Sequence, residues 1–226
     1  MINAIKTKVG LLAALLTTSI AVMAESVDVK VIGTITPMAC KPTLAGGGTI
    51  DYGTINLDTL KRDEFTVLSE KQIDFSIVCN APAKIALKTI NGRTGSLAGN
   101  DEEISGYGRA PVKINSTYAA GLGLDASKKV GGYGISFSDA TADNVKTENI
   151  YRQDDWAPGE WDLNHARGIF GNIDGLFSWG SINSPIAFTT LSGKLKVQAY
   201  INKHSELDLT KPVKLDGLTT LELVYL

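Results

Sequence analysis

The stretch Ile73-Asp74-Phe75-Ser76-Ile77-Val78-Cys79 decides the fold. Ile73, Phe75, Ile77 and Cys79 fall on every second position, with Asp74 and Ser76 between them. Successive side chains of a strand point to opposite faces, so this period of two places one face in a core and the other in water. Downstream, Ala83, Ile85, Leu87 and Thr89 share one parity, as do Tyr118, Ala120, Leu122 and Leu124. The same period returns in Tyr133, Ile135 and Phe137, in Leu195, Val197, Ala199 and Ile201, and in the terminal Leu221, Leu223 and Tyr225. Upstream it runs through Val27, Val29, Val31, Gly33 and Ile35. Runs of this kind bounded by Gly, Pro, Asn and Asp predict an all-β, antiparallel protein, and seven or more of them predict a two-sheet β-sandwich. Residues 57–69 predict one short helical turn with Asp58 at its cap. Residues 139–184 are the least strand-like and hold Trp156, Trp161 and Trp179, so they are expected to form a long irregular excursion on the rim.

Residues 1–24 carry Lys6 and Lys8, then an apolar run over residues 9–23 and the small-residue ending Ala21-Val22-Met23-Ala24. These three parts predict a cleaved secretory signal peptide. The apolar run is shorter than the roughly 20 residues a membrane span needs, and no later stretch could span as a helix. The domain plan is therefore a signal over 1–24, an N-terminal strand over 25–37 and a sandwich over 38–226. The net charge is −2, and without Lys6 and Lys8 it becomes −4. With no basic block, nucleic acid is not an expected partner. Cys40 and Cys79 are the two cysteines. In an oxidising compartment an even count argues for one bridge, and a metal site would want more ligands than His165 and His204 supply. No metal and no cofactor is expected.

The two ends carry the functional signal. The strand over 25–37 follows directly on the cleavage site, alternates strongly and holds Gly33 on its apolar parity, and a glycine inside a strand marks a close approach. Such a strand is suited to adding onto another protein's sheet edge, main-chain bonds supplying affinity and alternate side chains filling pockets. The terminal strand ends at Leu226 with no polar tail, and an apolar strand left at an edge is an aggregation hazard that something must cover. The plainer alternative is that both ends pair within one complete sandwich.

The stretch Val29-Lys30-Val31-Ile32-Gly33-Thr34-Ile35, followed by Cys40, together with the penultimate Tyr225, resembles the chaperone–usher pilins. Closer still is the likeness to uncharacterised fimbria-associated proteins, carried by Pro37-Met38-Ala39-Cys40, Asp51-Tyr52-Gly53-Thr54-Ile55, Cys79-Asn80-Ala81-Pro82-Ala83-Lys84, Gly121-Leu122-Gly123-Leu124 and Lys129-Val130-Gly131-Gly132-Tyr133. The resemblance covers most of the chain after residue 24 and is weakest over 139–184. It implies an immunoglobulin-like sandwich lacking its last strand. A periplasmic chaperone would fill the groove, and at an outer-membrane usher a neighbouring subunit's N-terminal strand would replace it. Val29, Val31, Gly33 and Ile35 would be the donor strand. Leu221, Leu223 and Tyr225 would line the groove, and Cys40 and Cys79 would tie the first strand to the second. The chain departs from the pilin pattern in its length and in its last glycine, Gly217, which lies closer to the end than the pilin glycine.

No Gly-x-Ser-x-Gly, His-Glu-x-x-His or phosphate-loop pattern occurs, so no enzyme is expected. Asp101-Glu102-Glu103 and Asp154-Asp155 read as solvated acids. A second reading is a monomeric exported module that contacts carbohydrate or a host surface through Trp156, Trp161 and Trp179. Against it stands the ordinary burial of tryptophan in a core.

Overall fold

The computed structural model describes residues 27–35, 37–100, 106–152, 160–163, 168–170 and 175–226. The chain divides into two units, Met1–Thr36 and Pro37–Leu226. The signal-peptide reading lies outside the described residues.

Among the described residues the strands are β1 (Cys40–Leu44), β2 (Thr66–Val67), β3 (Lys71–Asn91), β4 (Gly108–Arg109), β5 (Tyr118–Gly121), β6 (Leu124–Asp125), β7 (Lys128–Lys129) and β8 (Gly131–Ala142). They continue with β9 (Val145–Lys146), β10 (Glu148–Arg152), β11 (Asp162–Leu163), β12 (Leu176–Ser181), β13 (Ser184–Pro185), β14 (Ala187–Ile201) and β15 (Thr219–Tyr225). Every pairing of these strands is antiparallel. The protein is an all-β sandwich.

β3 organises it. Its first half pairs with β1 on one side and β14 on the other, and β14 goes on to β8 and β5. Its second half pairs with β12 and with β15, and β12 goes on to β10 and β11. The changeover falls at Pro82, where the β14 register jumps from Phe188↔Ala83 to Thr190↔Val78. Proline has no N–H to give a ladder and belongs at such a break. One continuous strand thus supplies Phe75 and Ile77 to one inner face, and Ile85 and Leu87 to the other, all at most 2% exposed. Aromatic rings close the core across the sheets. Phe75 stacks on Trp179 at 5.9 Å, and Phe137 meets Phe177 at 5.1 Å.

Within 139–184, expected to form an irregular excursion, the described residues include β10, β11 and β12, which belong to the second sheet. Leu176, Phe177, Ser178, Trp179 and Gly180 of β12 are all buried, so the strand shows no alternation to read. Within 57–69 the helical element is a single 3₁₀ turn, Leu57–Thr59, and its cap is Asn56, whose side chain accepts from the Asp58 amide, rather than Asp58. Residues 27–35, expected to form a strand on another protein's sheet, carry no strand in the isolated chain, where no neighbour is present to bond.

Cys40 and Cys79 are bonded and sit directly opposite each other in the β1–β3 register. Their separation of 39 residues makes the bridge worth roughly 4 kcal/mol in the loop-entropy description. Replacing both by alanine is expected to lower the unfolding free energy by about 2–4 kcal/mol in urea titrations, with a slope that changes only as the unfolded state expands.

Candidate functional site

The candidate site is the seam between two sheet edges. β1 ends the first sheet beside β3, and β15 ends the second sheet beside the other half of β3. Neither has a second strand neighbour among the described residues. Leu221 and Leu223 point inward, and Leu223 pairs with Leu87. Leu87 is 1% exposed, but Leu221 and Leu223 are only partly buried, as are Leu44, Ile50 and Ile55 following β1. Apolar residues that pack against the core are thus left partly exposed along both edges.

Tyr225 crosses this seam. Its phenol leaves β15 and its Oη accepts a hydrogen bond from the Cys40 N–H at 2.7 Å. The Leu226 amide donates to the Lys84 carbonyl and keeps the strand in register to its end. At the other end, Tyr133 Oη and Thr219 Oγ1 lie 2.6 Å apart. Gly217 lets this tyrosine approach, since a Cβ there would stand 2.7 Å from Tyr133 Cε1. Arg93 grips Asp216 through two parallel hydrogen bonds, Nε to Oδ2 at 2.8 Å and Nη2 to Oδ1 at 2.7 Å. The guanidinium holds the Asp216 carboxyl below the ordinary aspartate range. These contacts aim β15 along the edge.

The sequence-expected residues distribute as follows. Cys40, Leu221, Leu223 and Tyr225 meet at the seam. Val29, Val31 and Ile35 lie in the other unit, exposed by 85%, 94% and 99%, and Gly33 has nothing within 4 Å of a built Cβ. Trp161 and Trp179 are 6% and 1% exposed, so they are not available as ligand platforms. Trp179 belongs to the main core and Trp161 packs with Ala86, Ile150 and Leu176 on the outer side of the second sheet, with Arg152 over its ring at 5.2 Å. Trp156 lies outside the described residues. Sequence reasoning missed Pro42, Tyr133 and Thr219, of which a proline within a strand-like run was the one visible signal. No cluster of three or more His, Cys, Asp or Glu that could hold a metal occurs among the described residues.

Burial pushes the Tyr133 phenol up to about 12, against an ordinary 10. Between those two values the unfolded chain ionises this phenol while the folded protein keeps its proton. Stability present below pH 10 is therefore lost as pH rises toward 12. The denaturation midpoint is expected to fall over this interval, and Tyr133→Phe should reduce the fall; a residual slope belongs to Tyr107, which burial also pushes up to about 12, and to Tyr52, which burial also raises.

Protein GltF of Escherichia coli (strain K12) is 27% identical over 234 residues, covering 88% of each chain. The uncharacterized protein YhcF of the same organism is 25% identical over 132 residues, covering 55% of this chain and 53% of its own. No solved structure matches the chain. Residues 29–147, from the exposed alternating segment through β9, match the family described as "Protein of unknown function (DUF1120)". That span is more than half of the 226 residues, and the chain belongs to this family.

Proposed function

We propose that this protein is a structural subunit of a chaperone–usher type fimbria that assembles by donor-strand exchange and contributes to surface adhesion. One observation carries the reading: a single chain holds an exposed apolar segment without a strand partner and a terminal strand with a free edge. Residues 27–35 carry Val27, Val29, Val31 and Ile35 on one parity, are exposed, and have no strand of their own. The seam between β1 and β15 is apolar, half open and bordered by an unpaired edge. A strand laid into it would cover Leu221 and Leu223 and bond the β15 main chain.

The subunit passes through the periplasm to the cell surface. A periplasmic chaperone covers the seam first. At an outer-membrane usher, residues 25–37 of the next subunit replace it. The disulfide suits that route, because it ties the β1 wall of the seam to β3 in an oxidising compartment. The joint does its work by assembly, with no bond made or broken, so the reading contains no catalytic step.

Light scattering of residues 25–226 purified from periplasm tests it. The intact form is expected as polymers or in a complex with a chaperone of similar size. Deletion of 25–37 is expected to stop polymer growth and leave the chaperone complex. Stable monomers from both forms would overturn the reading.

A further inference from the structure

The two walls of the seam are not equivalent. In an antiparallel pair, alternate residues exchange both main-chain bonds with the neighbour, and the residues between turn theirs away. The Leu226 amide bonds the Lys84 carbonyl at 3.1 Å, and the Gly92 amide bonds the Leu218 carbonyl at 2.9 Å. Even-numbered positions of β15 therefore face β3. Thr219, Leu221, Leu223 and Tyr225 turn N–H and C=O outward, and these main-chain groups have no partner among the described residues. Their side chains are the ones that face the core, so this edge offers main-chain bonds and an apolar floor together.

On β1 the parity is opposite. The Asn80 amide bonds the Ala39 carbonyl at 3.0 Å, and Cys40 sits opposite Cys79. The outward positions are then Cys40, Pro42 and Leu44. Pro42 has no N–H. The Cys40 N–H is held by Tyr225 Oη at 2.7 Å. Of the three outward positions, Leu44 keeps a donor with no partner among the described residues. A proline on an outer edge is a recognised way to blunt strand addition.

We infer that the seam accepts a strand on one side only: the strand bonds β15 through Thr219, Leu221 and Leu223, β1 stays a non-pairing wall, and the Tyr225 phenol marks where the strand stops. The phenol bridges the two edges at the Cys40 end, so a strand running further would have to break that bond and displace the ring. Register along the edge is set by this stop. The occupant is residues 25–37 of a second copy, and the inference rests on the strand-exchange reading.

Amide hydrogen exchange on residues 25–226, freed of chaperone and diluted to monomers, tests it, with an excess of a synthetic peptide of residues 25–37 as the probe. The peptide is expected to slow exchange at Leu221 and Leu223 by about tenfold or more, and to leave Leu44 and Tyr225 unchanged. In Tyr225→Phe without peptide, the Cys40 amide is expected to exchange about tenfold faster, its acceptor having gone. In Tyr225→Ala, where the stop is removed, peptide protection is expected to spread to the amide at position 225. Protection at Leu44 equal to that at Leu223 would overturn the one-sided seam while leaving strand exchange standing. Protection at Tyr225 in the unaltered chain would overturn the stop. Polymers that form without protection at either edge would place the joint elsewhere. If no polymer forms and no amide is protected, the inference falls together with the strand-exchange reading.

Discussion

The structure depends on one strand serving two sheets. β3 runs for 21 residues and gives its first half to β1 and β14, and its second half to β12 and β15. Pro82 at the changeover leaves the ladder just where the sheet membership switches. Because the two outer neighbours of β3 belong to different sheets, β1 and β15 are both left as edges on the same side of β3, and they meet where Tyr225 accepts from the Cys40 N–H. The Cys40–Cys79 bridge fixes the first of them to β3 next to the switch. The open seam follows from that arrangement.

What holds the seam in shape is a small set of polar contacts around an apolar floor. Tyr225 spans its upper end, Tyr133 with Thr219 anchors its lower end, and Arg93 with Asp216 steers the chain into β15. Each is modest, since exposed ion pairs and single hydrogen bonds contribute little beside core burial. Their role is direction. They present Leu221 and Leu223 as a row whose backbone is free on the outer side. An exposed unpaired edge is an aggregation hazard. The sequence blunts one wall with Pro42 and leaves the other open, a distribution that fits an edge kept for use.

The aromatic residues show how burial overrides a local reading. Trp161 and Trp179 sit in a stretch full of turn signals, which points to a surface loop. In three dimensions Trp179 lies in the main core against Phe75, Phe137, Phe177 and Phe188, and Trp161 covers the outer side of the second sheet under Arg152. Leu176 to Gly180 lack alternation because both faces of β12 are covered. A period of two arises only where one face meets water.

The sequence by itself determined the strand class, the single disulfide and the apolar parity of both ends, since each is a local or pairwise property. Alternation from Ile73 to Cys79 and from Leu221 to Tyr225 needs no partner to be seen, and two cysteines allow one pairing within the chain. Only the tertiary structure decided which strands lie side by side. It placed Tyr225 against Cys40, separated by 185 positions in the chain, and turned Pro42 toward the seam. It drew β10, β11 and β12 out of a segment that reads as loop. Strand neighbours, and therefore free edges, are set by which buried faces must meet to close one core, and that is a property of the whole chain and of no segment within it.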